Sequence, residues 1–98
     1  MARRELLSPE VVEQALIGLP GWKVQDGRLR WERRFHDFSQ AFGFMTRVAL
    51  AAEKLDHHPD WRNVWATVSI ELWTHDAGGL TANDLHLAAK ISEIAEAV

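Results

Sequence analysis

The stretch Trp22-Lys23-Val24-Gln25-Asp26-Gly27-Arg28-Leu29-Arg30-Trp31-Glu32-Arg33-Arg34-Phe35 decides the fold. Two alternating segments flank Asp26-Gly27, and Gly tolerates positive φ, so the pair signals a tight antiparallel hairpin. On the second segment Leu29, Trp31, Arg33 and Phe35 share one face. Arg30, Glu32 and Arg34 share the other, which predicts a sheet with one apolar and one wet face.

Toward the N-terminus, Ser8-Pro9-Glu10 opens a helix. Ser8 suits the cap, Pro9 the first helical position, and Glu10 the positive helix end. Val11, Val12, Ala15 and Leu16 follow at helical spacing until Gly18 and Pro20 stop the helix. Toward the C-terminus, Phe38-Ser39 opens a second helix, with Ser39 as its expected cap, running to about Leu55. Its expected apolar stripe is Phe42, Met45, Val48, Ala49 and Ala52. Phe38, Ala41, Phe44 and Leu50 widen it, which predicts packing on two sides, against the sheet and against another subunit.

Pro59 disfavours helix at His58, so Asp56–Trp61 reads as a turn. From Asn63 to Thr74 the pattern alternates again, as a strand, whole or broken into a short and a long piece. Val64, Ala66, Val68, Ile70 and Leu72 form one face, and Trp65, Thr67, Ser69, Glu71 and Trp73 the other. His75–Gly79 reads as a flexible connection. Thr81-Ala82-Asn83-Asp84 outlines a capping box, and a final amphipathic helix follows. The order α-β-β-α-β(β)-α predicts a single α+β domain over 1–98: a two-layer sandwich, with an antiparallel sheet of three to four strands and three helices on one face.

The chain has 98 residues, a formal charge of −3, five His, five Trp, no Tyr and no Cys. The lack of Cys excludes disulfides, thiolate zinc sites, iron–sulfur clusters and a thiol nucleophile. Mild acidity argues against nucleic acid as a partner. No apolar run approaches the roughly 20 residues of a membrane span. Met1-Ala2-Arg3-Arg4-Glu5 has no apolar stretch behind its arginines, so a cytoplasmic protein is the expectation.

The polar residues of interest gather at element ends. Glu53, Asp56, His57 and His58 end the second helix, His75 leaves the long strand, and Asp84 starts the last helix. Imidazole has an ordinary pKa of about 6.5, so it exchanges protons near neutrality. Beside carboxylates such residues suit general acid–base catalysis. Alternative readings are a surface His pair, a metal site and a structural cap at Asp84. Adjacent His side chains diverge and no His-x-x-x-His pair is present, so no metal is expected. His36 and His86 read as surface, Trp31 as core, Trp22 as core or a ring-stacking wall, and Trp65 with Trp73 as a subunit interface.

Glu53-Lys54-Leu55-Asp56-His57-His58-Pro59-Asp60-Trp61, then Thr74-His75-Asp76, Gly79-Leu80-Thr81 and Asp84 resemble the signature of the pterin-4a-carbinolamine dehydratases. Pro20-Gly21-Trp22 and Ala41–Leu50 resemble the family too, and the likeness runs from about Leu7 to Ile94. The resemblance implies dehydration of 4a-hydroxytetrahydropterin to the quinonoid dihydropterin, in tetrahydrobiopterin recycling, without metal or organic cofactor. It implies functional coupling to an aromatic amino-acid hydroxylase. By position it implies His57 and His75 as acid–base residues, with Glu53 assisting catalysis. His58, Pro59, Asp56, Asp84, Trp22 and Thr74 would bind or frame the pterin. Some relatives carry a Cys shortly after the second-site His, where this chain has Ala77. A homodimer through sheet edges or a homotetramer through the second helix is expected. The alternative function is a non-catalytic interaction module, like relatives that serve as dimerisation cofactors of a transcription factor, or a molybdopterin-related role.

Overall fold

The computed structural model describes residues 5–98. Helix α1 spans Pro9–Leu16, and its cap is Ser8, whose Oγ accepts the Val11 N–H at 3.2 Å. Strands β1 (Lys23–Gln25) and β2 (Arg28–Arg34) form the expected hairpin. Asp26 and Gly27 take φ of 55° and 75°, the positive values a two-residue primed turn demands.

Helix α2 spans Phe38–Leu55. Its cap is Asp37, not Ser39: the Asp37 carboxylate accepts the Gln40 N–H at 2.8 Å. Both residues are good caps, and the helix begins two residues earlier than a cap at Ser39 would set it. The buried stripe is Ala41, Phe44, Val48 and Ala52, whereas Phe42, Ala49 and Leu50 are exposed. Val48 and Ala52 of the expected stripe are buried, and Ala41 and Phe44, expected to widen it, complete the buried face. Buried Ala41 and Ala52 accompany its packing on the last helix, α3 (Ala82–Glu96), which buries Ala88 and Ala95.

The alternating segment after Pro59 is a second hairpin. Strand β3 spans Asp60–Val64 and β4 spans Thr67–Leu72, paired antiparallel with Val64 opposite Thr67. Trp65 takes φ of 52° at the reversal, and the Asn63 side-chain amide donates to the carbonyls of Trp65 and Thr67. Val64 is consequently exposed and does not share the core face of Val68, Ile70 and Leu72.

The sheet order is β1-β2-β4-β3, antiparallel throughout. The core joins Leu29, Trp31, Val68, Ile70 and Leu72 to Phe44 and Val48 of α2 and Leu87 and Ile91 of α3. Trp22, Trp31, Phe44 and Phe35 form an aromatic row, with successive ring centroids 5.9, 5.5 and 4.7 Å apart. Each such pair contributes about 0.5–1.5 kcal/mol beyond area burial. Arg33 lies on the helix side as read. Its Nη1 donates to the Ala95 carbonyl at 2.9 Å, in the last turn of α3. Arg28, Arg30, Glu32, Ser69 and Glu71 occupy the opposite face, joined by ion pairs between Glu71 and both Arg28 and Arg30. This is the predicted α+β sandwich with four strands.

Candidate active site

The end of α2 presents the paired histidines. Asp56 stops the helix in the left-handed conformation, φ 54° and ψ 42°, which Asp tolerates better than most residues. The Asp56 N–H donates to the Glu53 carbonyl and the His57 N–H to the Ala52 carbonyl, both at 3.1 Å. These two bonds form the helix-ending pattern that satisfies orphan carbonyls and reverses the chain. His57 is thereby turned inward and His58 outward.

His57 is 9% exposed and Asp84 fully buried, and His57 Nε2 lies 2.6 Å from Asp84 Oδ1. Asp84 sits in the first turn of α3, as the third residue after Thr81, the cap that opens the box. Its Oδ2 accepts the Thr81 backbone N–H at 2.9 Å and the Thr74 hydroxyl at 2.8 Å. The Thr74 and Thr81 hydroxyl oxygens are 2.6 Å apart. With Thr74 donating to Asp84, Thr81 must donate to Thr74, so each hydroxyl proton has one place to go. A carboxylate so supplied takes the His57 Nε2–H as its remaining strong donor. That bond fixes the tautomer and leaves Nδ1 as the basic nitrogen of the ring.

Three element ends meet in this group: the stop of α2, the exit of β4 and the start of α3. Thr74 is held by a bridge to Gly79, with its N–H on the Gly79 carbonyl at 2.8 Å. Between them His75–Ala77 form one 3-10 turn, closed at Gly78 with φ of 75°. The segment expected to be a flexible connection is therefore a hydrogen-bonded turn, and it carries His75 on an exposed position beside Thr74.

The remaining candidates divide. His58 and Glu53 pair with each other, Nε2 to Oε1 at 2.9 Å, on the surface. Asp56 is exposed at the helix stop, and partly buried Pro59 leads into β3. Trp22 is buried in the core, where its indole Nε1–H donates to Ser92 Oγ at 2.8 Å and its ring stacks on Trp31. Thr81 stands in the sequence as a cap and as part of the family signature, with no role assigned at the site. Its Thr-x-x-Asp spacing from Asp84 is the signal that places it in the network. His36 and His86 are exposed, as read. Among the described residues no group of three or more His, Asp or Glu is arranged to hold a metal ion. Trp65 and Trp73 each lie under an arginine, Arg34 at 4.8 Å and Arg28 at 3.8 Å from the ring centre.

The comparisons with known proteins agree with one another. Residues 5–94 match the family model described as Pterin 4 alpha carbinolamine dehydratase. A protein of Afipia carboxidovorans named "Putative pterin-4-alpha-carbinolamine dehydratase" is 58% identical over 93 residues, 93% of this chain and 93% of its own length. One of the same name from Prochlorococcus marinus is 55% identical over 87 residues, 89% of this chain and 91% of its own. The "Crystal structure of transcriptional coactivator/pterin dehydratase from Brucella Melitensis" superposes with a TM-score of 0.90 at 42% identity, over 93% of this chain and 99% of that one.

Proposed function

This chain belongs to the pterin 4 alpha carbinolamine dehydratase family, and from that membership we propose that it dehydrates 4a-hydroxytetrahydropterin by histidine acid–base catalysis. The observation that carries the reading is the buried His57–Asp84 contact at 2.6 Å, backed by Thr74 and Thr81.

The reaction breaks the bond from C4a to its hydroxyl and removes a proton from a ring nitrogen. The hydroxyl leaves as water once it receives a proton, and the electron pair of the N–H bond becomes the new carbon–nitrogen double bond. One group must give a proton and another must take one. His57, oriented by Asp84 with Nδ1 unprotonated, is suited to take it. His75, on the turn beside Thr74, is suited to give it. His58 with Glu53 forms a surface polar pair that would hold the pterin, and Asp56 and Pro59 set the turn presenting His57 and His58. No metal or organic cofactor enters this scheme, since proton transfer alone completes it. Its place would be the recycling of a pterin oxidised by an aromatic amino-acid hydroxylase. The test is stopped-flow dehydration of synthetic 4a-hydroxytetrahydropterin. Acceleration over buffer by the wild-type protein supports the proposal, and a buffer rate overturns it.

A second reading is favoured by one observation. Phe38 and Phe42 lie on α2 with rings 5.8 Å apart, 50% and 56% exposed, and Leu50 is 70% exposed. Together with the coactivator named in the Brucella structure, this surface supports an interaction role alongside catalysis. Self-association is the simpler use of it. No described helix is long and apolar enough to cross a membrane.

A further inference from the structure

His57 is oriented by Asp84 and His58 by Glu53, whereas the contact on the His75 ring is Trp73. The two ring centroids are 6.2 Å apart with planes inclined at 37°. The backbone of His75 is already fixed by the turn that Gly79 closes, with Gly78 N–H donating to Thr74 and His75 carbonyls at 3.0 and 3.2 Å. What remains to be set is the pair of side-chain torsions that aim the imidazole.

Trp73 is itself held. The β2–β4 ladder ends at Leu29 opposite Leu72, and one further step places Arg28 opposite Trp73. The Arg28 guanidinium lies 3.8 Å from the indole centre, and its Nη1 donates to Glu71 Oε1 at 2.9 Å. The other Glu71 oxygen takes Arg30 Nη2 at 3.0 Å. Trp73 is also packed against the core cluster. A cation pinned by a carboxylate thus presses on an indole, and the indole borders the imidazole.

We propose that Trp73, clamped by Arg28, is a positioning residue for His75, limiting the torsions of an otherwise exposed imidazole so that its proton is aimed at the leaving hydroxyl. This deepens the proposed function and rests on its reading of His75 as an acid–base group. Misplacing a reacting group by even about 1 Å is costly, so a wall that narrows its range raises kcat while leaving substrate binding alone.

The experiment compares kcat, KM and the His75 imidazole proton resonances in Trp73→Leu, Trp73→Phe, Arg28→Met and His75→Ala. Trp73→Leu and Arg28→Met should each lower kcat about tenfold with KM changed by less than about twofold. In both, the His75 resonances should move as the indole ring current is lost or displaced. Trp73→Phe, which keeps an aromatic wall, should retain kcat within about threefold. If Trp73→Leu fails to fold, Arg28→Met and Trp73→Phe decide by the same readouts. A wild-type kcat in Arg28→Met, where His75→Ala is slow, overturns the positioning and leaves the proposed function standing. Slowing without movement of the His75 resonances marks a general structural loss and also overturns it. A wild-type rate in His75→Ala overturns the acid–base reading of His75, and the positioning with it.

Discussion

Asp84 has two oxygens and three donors, and each donor comes from a different part of the chain: His57, Thr74 and the Thr81 backbone. Replacing it by Asn keeps the shape but introduces an amide that can donate to His57 Nε2. The ring would then carry its proton on Nδ1, the wrong nitrogen for a base. Asp84→Asn should therefore lower kcat by about 10²–10⁴-fold, checked by steady-state dehydration kinetics. Thr74→Val removes one buried hydroxyl and leaves that of Thr81 without its acceptor. It should destabilise the fold by about 1–3 kcal/mol in urea unfolding. The sequence reading assembled most of these residues because they lie in one motif, but it ranked Glu53 with His57. In the fold Glu53 faces His58, because Asp56 reverses the chain and sends the two histidines opposite ways. Of the two places open to Trp22, core or ring-stacking wall, it takes the core, where its indole Nε1–H donates to Ser92 Oγ. Which way a residue points after a helix stop depends on backbone torsions that residue type alone does not specify.

Element boundaries follow local capping chemistry. Asp37 accepts the Gln40 N–H, and the His36 N–H in turn donates to Gln40 Oε1 at 2.7 Å. Asp37→Ala should cost about 0.5–2 kcal/mol of stability, measured by chemical denaturation, while Ser39→Ala stays within a few tenths. The first hairpin was legible because Asp26-Gly27 advertises its positive φ values. For the second, a break into a short and a long strand was legible but its position was not, because Val64-Trp65-Ala66-Thr67 continues the period-two pattern straight through the reversal. Here a tryptophan takes φ of 52°, and the Asn63 side chain supplies the bonds that a Gly-containing turn does not need. On α2 the pattern offers two candidate stripes. Val48 and Ala52 belong to both, and Ala41 and Phe44 rather than Phe42 and Ala49 complete the buried one.

Across the whole molecule, one sheet face is covered by helices and the other is a lattice of charges. Exposed apolar residues lie at Leu6, Val11, Ile17, Val64 and Trp65, and α2 adds an apolar surface at Phe38, Phe42 and Leu50. A second copy would cover it, so sedimentation equilibrium at micromolar concentration should show a homo-oligomer. Phe42→Glu should shift that equilibrium toward monomer, by placing a charge in the contact. A monomeric wild-type chain would contradict this reading while leaving the His57 site intact. The hydrogen-bond network of His57, Asp84, Thr74 and Thr81 is drawn from three element ends of one chain. The most direct measurement is stopped-flow dehydration of 4a-hydroxytetrahydropterin by the wild-type protein and by His57→Ala, with both shown to be folded. The account predicts acceleration over buffer by the wild type and a loss of about 10²–10⁴-fold in the variant. A His57→Ala protein that dehydrates the pterin at the wild-type rate would contradict it.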